Sequence, residues 1–194
     1  MLVSDVMTAP VVTVRPGASL KEVALLLDEH RVTALPVVDD NGRIVGVVSE
    51  ADIVREAVPA DPWVTPLQQP HHGPYLTKAG DVMSFHPVTV RSDTELPVAA
   101  DLLVSSAIKS LPVIDADGTV LGMVSRSDII AVLARRDSQI AADLRELVGE
   151  SGNTWEFEVN DGVVKVVGTL SESEREVVRV LVSTVPGATS VRFA

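Results

Sequence analysis

The sequence predicts a mixed α/β chain of the α+β type, built from two copies of one unit and a smaller third unit. Three observations carry this. A shift of 76 residues lays the first half on the second without a gap: DVMTAPVVTV at 5–14 falls on DVMSFHPVTV at 81–90, and LPVVDDNGRIVGVVSEADI at 35–53 falls on LPVIDADGTVLGMVSRSDI at 111–129. Within each copy, apolar strand patterns alternate with patterns of helical period. Apolar residues make up 46% of the 194 residues but aromatics only 3%, so the core must be aliphatic.

In the first copy, VVTVRP (11–16) reads as a short strand. ASLKEVALLLDEH (18–30) reads as a helix, with Ser19 and Glu22 as an S-x-x-E capping box and Leu20, Val23, Ala24 and Leu27 on one face. LPVVD and RIVGVVS read as strands joined at Asp40-Asn41-Gly42, a hairpin signal. ADIVREAV is a second helix, stopped by Pro59. The strands are almost wholly apolar, so both faces of the sheet should be covered. A unit of ~55 residues has little core of its own and should pack against its copy.

Residues 59–74 (PADPWVTPLQQPHHGP) are Pro-rich and aperiodic, which marks a linker. Trp63 is expected to pin it to the surface. His71-His72 reads as a solvent-exposed pair, because no acidic or Cys partner stands nearby. Beyond Arg136 the pattern changes. IAADLRELVGE is an amphipathic helix with Ile140, Leu144 and Leu147 at helical spacing, TWEFEV alternates like a strand, and DGVVKVVGTL is a turn and a second strand. SESEREVVRVLVSTV (171–185) is a helix opened by a Ser171–Glu174 capping box, with Val177, Val178, Leu181 and Val182 inward and Glu172, Arg175, Glu176 and Arg179 outward. PGATSVRF turns into a last strand. The expected organisation is repeat 1 at 1–58, a linker at 59–75, repeat 2 at 76–135 and a small α/β sandwich at 137–194.

Sixteen Lys and Arg face 27 Asp and Glu, for a net charge of −11. That argues against broad contact with nucleic acid or anionic membrane, whose binding leans on basic residues. The stretch 136–194 carries six basic and ten acidic residues, so it too is a poor membrane binder. No run approaches the ~20 apolar residues of a membrane span, and MLVSDVMTAP lacks the regions of a secretory signal. The absence of cysteine excludes disulfides, thiolate metal sites and Cys nucleophiles, and fits a cytoplasmic location. No P-loop, G-x-G-x-x-G, H-E-x-x-H or G-x-S-x-G occurs, and His86, beside Pro87, belongs to no acid–base constellation. The expectation is a protein that is not an enzyme and requires no cofactor or metal.

Each copy ends a strand in Ser49 or Ser125, three residues before Asp52 or Asp128. S-x-x-D is a helix capping box in its own right. The same geometry suits a ligand: the helix N-terminus and the Ser hydroxyl donate to an anion, and an ionised Asp accepts from both hydroxyls of a ribose. The two uses are compatible.

The twin units resemble CBS repeats arranged as a tandem pair, a Bateman module, over roughly residues 1–135. The motifs are DVMT and DVMS, LPVVD and LPVID, and GVVSEAD and GMVSRSD. The resemblance implies a pseudo-twofold module with two clefts that take adenosine compounds such as AMP, ADP, ATP, S-adenosylmethionine or a dinucleotide. It also implies a ribose role for the Asp and phosphate-facing positions just before the LPV strand and beside the Asp. Ser125, Ser127, Asp128 and Lys109 then form the richer set, with Arg126 either reaching a phosphate or lying in solvent. Ser49, Asp52 and Thr33 form the poorer set, because Ala51 stands where the second copy has Ser127. The family draws each pocket from both repeats, so Val11 and Val32 are expected beside the second repeat's ligand. Neither repeat is read as carrying the His-Arg pair that some adenylate binders place before the strand.

Residues 137–194 resemble the BON domain through DGVVKVVGTL, Glu174-Arg175 and VPGATSV, with Gly162, Gly168 and Gly187. That resemblance implies docking to phospholipid or protein, and the acidic balance favours a protein partner or the CBS pair itself. The expected function is a non-catalytic sensor of an adenosine ligand, homodimeric through the aliphatic helices holding Leu25, Leu26 and Leu27 and Leu102, Leu103 and Val104, with the BON domain as relay. The alternative is a ligand-free dimerisation scaffold whose BON domain contacts a protein or membrane surface.

Overall fold

The computed structural model describes residues 1–57, 77–149 and 155–194; the expectations for Trp63, His71 and His72 lie outside these. The first repeat supplies α1 (Leu20–His30), β1 (Ala34–Val38), β2 (Ile44–Ser49) and α2 (Glu50–Ala57). The second supplies α3 (Ala79–Val82), β3 (Ser84–Phe85), β4 (Val90–Arg91), α4 (Leu96–Ser105), β5 (Ser110–Ile114), β6 (Val120–Ser125) and α5 (Arg126–Leu133). Ser19 caps α1, its Oγ accepting from the Glu22 N–H at 3.2 Å. β1 is buried at all five positions, as a strand covered on both faces must be. Leu27 and Leu103 lie in the cores, so only part of the aliphatic helix surface is exposed, led by Leu25 and Val104.

The strand expected over 11–16 shrinks to one parallel bridge, Val14 to Val37, and its counterpart β4 has two residues. Only Val14 bonds there, its N–H donating to Pro36 O at 3.0 Å and its C=O accepting from Val38 N–H at 2.9 Å. Pro10 and Pro16 bracket the segment and have no N–H to lengthen the ladder. The β1–β2 turn falls on Asp40-Asn41-Gly42 as expected, and Asp39, just before it, anchors it. Asp39 Oδ1 accepts from the N–H groups of Asn41 and Arg43, both at 2.9 Å. Asp115 repeats this with Asp117 at 2.9 Å and Thr119 at 2.8 Å. The backbone bonds, from Arg43 and Thr119 foremost, hold both carboxyls below their ordinary value of 3.8.

The two repeats exchange their leading segments. Val3 N–H donates to Thr94 O and Leu96 N–H to Met1 O; 76 residues away in each case, Ala79 N–H donates to Ala18 O and Leu20 N–H to Thr77 O. Val3 therefore sits in the second repeat's core with Leu96, Leu103, Leu111 and Val124. Ala79 and Met83 sit in the first repeat's core with Val23, Leu35 and Val48. The hairpin turns join across the pseudo-twofold axis: Ile44 N–H donates to Gly118 O at 3.0 Å and Val120 N–H to Gly42 O at 3.2 Å. This exchange explains the glycine of GVV and GMV. A Cβ on Gly122 would lie 2.7 Å from Thr8 O and 3.0 Å from Met7 Sδ, and one on Gly46 would lie 2.5 Å from Met83 Sδ. Only glycine lets the DVMT and DVMS segments lie on the partner strand.

The last part is α6 (Asp137–Val148), β7 (Glu156–Asn160), β8 (Val163–Val167), α7 (Glu172–Thr184) and β9 (Ser190–Phe193), in sheet order β7-β8-β9. Ile140, Leu144, Phe157, Val164, Val166, Val178 and Val182 form its core. Val177, expected inward, is 58% exposed, and Leu147 is exposed while Ala141 is buried. Arg175, expected outward, is half-buried and lies 5.4 Å from the Phe193 ring centroid. α7 shares this core with α6 and so buries only a narrow stripe, and the Phe193 ring offers its face to the cation. Arg135, just past α5, anchors this part to the repeats by donating to Asp143 Oδ2 at 2.6 Å and Pro186 O at 3.0 Å.

Candidate functional site

Strands β2 and β6 each end in the Ser that opens the next helix, so both Ser–Asp pairs stand at helix N-termini beside clefts between the repeats. Asp52 Oδ2 accepts from the Ser49 N–H at 2.9 Å and from its hydroxyl at 2.7 Å. Asp128 Oδ2 accepts from the Ser125 N–H at 2.7 Å and hydroxyl at 2.6 Å, and Ser125 Oγ accepts in turn from the Asp128 N–H at 3.3 Å. Of the S-x-x-D capping box, the Ser half, with Oγ accepting from the Asp N–H, is made only in the second copy, and the Asp half is made in both. It engages one carboxylate oxygen of each Asp and leaves the other to decide what the site can do.

The copies part at that second oxygen. Asp52 is 8% exposed, and its Oδ1 receives Arg55 Nη1 at 3.1 Å. The residue 76 positions later is Ala131, which cannot make that bond. Among the described residues, Asp128, which lines its cleft, therefore keeps uncommitted the oxygen that Asp52 gives to Arg55.

The Asp128 cleft, of about 600 Å³, brings together Ser125, Arg126, Ser127, Asp128 and Lys109 with Val11, Val32 and Thr33 of the first repeat. One nitrogen of Arg126 donates to Leu103 O at 2.7 Å, which ties the guanidinium to the end of α4. The Asp52 cleft, of about 400 Å³, brings together Ser49, Asp52, Thr33 and Lys109. Thr33 and Lys109, assigned by sequence to separate sets, line both clefts. Lys109 Nζ meets Glu50 Oε2 at 3.7 Å. Sequence reasoning missed His30 and Arg31 at the Asp128 cleft and Phe85 and His86 at the Asp52 cleft. The signal was present: His30-Arg31 closes α1 just before the β1 strand, with Arg31 left-handed at φ 55°. Phe85-His86 follows the DVMS motif that crosses to the partner repeat. Among the described residues no cluster of His, Asp and Glu suits a metal, and no helix is long and apolar enough to cross a membrane.

Two α/β repeats that exchange their ends and enclose paired clefts define a CBS pair. The family model for the CBS domain matches residues 3–59 and 79–135, and the chain belongs to that family. Among its relatives is CBSX2, a chloroplastic CBS domain-containing protein of Arabidopsis thaliana, 33% identical over 144 residues that span 65% of this chain and 60% of that protein. An uncharacterized protein of Methanocaldococcus jannaschii is 30% identical over 154 residues, 69% of this chain and 91% of the other. The crystal structure of CBSX2 in complex with AMP is similar with a TM-score of 0.56 and 36% identity, over 67% of this chain and 93% of that one.

Proposed function

We propose that the chain is a non-catalytic regulatory module that binds an adenosine ligand, AMP first among the candidates, in the Asp128 cleft. The single observation behind this is the open carboxylate oxygen of Asp128, set in a cleft with Lys109, Ser127 and the α5 N-terminus. The oxygen suits a ribose diol, the N-terminus and the cation suit a phosphate, and Val11 and Val32 suit a base. The AMP complex of CBSX2 supports the choice of ligand. ADP, ATP and S-adenosylmethionine are the other candidates.

The module dimerises through the exposed aliphatic faces of its helices, and residues 137–194 act as a BON-like domain that docks to a protein and relays the ligand state. The helix–strand–strand–helix–strand order and the Arg135 anchor at the end of α5 support that relay. α5 starts at the ligand cleft and ends at the anchor. A thermal-shift screen with AMP, ADP, ATP, NAD and S-adenosylmethionine tests the proposal. At a hundred times Kd a ligand contributes about 2.7 kcal/mol, which raises Tm by roughly 5–11 °C in a chain of this size. No shift with any of the five at millimolar concentration would refute it.

A further inference from the structure

The two clefts differ in charge, and one cation serves both. Arg31, Lys109 and Arg126 line the Asp128 cleft against a single carboxylate, Asp128. Among the described residues lining the Asp52 cleft, Lys109 is the only Lys or Arg, against the carboxylates of Glu50 and Asp52. Lys109 is already engaged by Glu50 at 3.7 Å. A phosphate entering the Asp128 cleft draws the Lys109 ammonium toward itself, because a dianion outcompetes an exposed carboxylate for it. The Asp52 cleft then keeps Glu50 with no described lining Lys or Arg beside it, while Asp52 keeps Arg55 on its second oxygen. A second phosphate there would meet the Glu50 carboxylate without the cation that now balances it, which is disfavoured.

The Asp52 cleft remains a shaped and largely apolar cavity. Its walls include Phe85, Val88 and Ile108, and its about 400 Å³ lies within the range of small-ligand pockets. Phe85, 63% exposed, offers a ring face for stacking. Arg55 is the one group that must leave Asp52 for a ribose to be held there; its largely exposed guanidinium returns to water, and the ribose hydroxyls replace the bond that the buried Asp52 loses.

We propose that the Asp52 cleft is reserved for an unphosphorylated nucleoside, uncharged or positively charged, while the Asp128 cleft takes the phosphorylated one, with Lys109 enforcing the division. This rests on the adenosine reading of the Asp128 cleft. Isothermal titration of the full chain tests it, with AMP and adenosine as probes. AMP should bind once per chain, adenosine alone twice, and adenosine once more to the AMP-saturated chain. Glu50→Lys gives the Asp52 cleft its own cation, so the AMP stoichiometry should rise from one to two. Phe85→Ser should abolish the extra adenosine and leave AMP binding intact. Two equal AMP sites in the unmodified chain, a single adenosine site, or an AMP stoichiometry that stays at one in Glu50→Lys would each overturn the division of ligands. Failure of AMP to bind at all would instead overturn the reading beneath it.

Discussion

Replacing Asp128 with Asn keeps the size of the side chain and removes its charge and one acceptor. Asp128 has to accept on two sides to hold a ribose: Oδ2 takes the Ser125 N–H and hydroxyl at 2.7 and 2.6 Å, and Oδ1, bonded to no described residue, is left for the ligand. An amide accepts on one side only. It keeps the Ser125 bonds and loses the ribose, or the reverse. A hydrogen bond to a charged group contributes about 1.5–3 kcal/mol, so AMP affinity should fall about 10- to 150-fold. Asp52→Asn is the matched comparison. Its second oxygen is already held by Arg55 at 3.1 Å, so AMP affinity should change by less than about threefold, or ~0.6 kcal/mol. Both variants disturb the same cap, so both should lose a similar ~0.5–2 kcal/mol without ligand. Isothermal titration gives the affinities and thermal unfolding the control. Equal losses of AMP affinity in the two variants would refute the asymmetry argued from Arg55 and Ala131.

Gly122→Ala places a Cβ 2.7 Å from Thr8 O and breaks the paired Thr8–Met123 bonds of 2.9 and 3.1 Å. The loss of about 1–3 kcal/mol should lower Tm by roughly 2–12 °C. Gly17→Ala, which meets nothing within 4 Å, should leave Tm within about 4 °C of the original or raise it; differential scanning fluorimetry compares the two. Val104, Ile130 and Leu133 are 74%, 61% and 63% exposed, so light scattering should give twice the 20.6 kDa of the chain, and Leu133→Asp should halve that mass if the helices form the dimer interface. Asp39 and Asp115 titrate below 3.8 in the folded chain, so what their turns contribute is intact above that pH and is lost as pH falls through the lowered values. Carboxyl carbon shifts followed by NMR should show both midpoints below 3.8; midpoints at or above it would contradict the backbone bonding described for the turns.

The repeat was legible because it is a matter of register: fifty positions that align at one shift define two copies whatever the copies look like. The helices and inner strands were legible because their apolar spacing sets which face is buried, as at Leu20, Val23 and Leu27. The exchange of leading segments was not legible. Val3 and Ala79 look like ordinary apolar residues at the start of their own repeats, and only the packing sends each to the other core. The same holds for the site. The Ser–Asp pairs announce themselves by local spacing. The role of Lys109 in both clefts depends on how the repeats face each other, which no local pattern encodes. Val177 and Arg175 were misplaced because α6 takes part of the core that the apolar stripe of α7 would otherwise fill, and because Phe193 draws a cation inward.

The most direct measurement is a crystal structure of the chain grown with saturating AMP. One nucleotide is expected, in the Asp128 cleft. Its ribose hydroxyls should lie on Asp128 Oδ1, its phosphate between Lys109, Ser127 and the α5 N-terminus, and its base against Val11 and Val32. AMP seated with its phosphate in the Asp52 cleft and the Asp128 carboxylate untouched, or no nucleotide in either cleft, would contradict it.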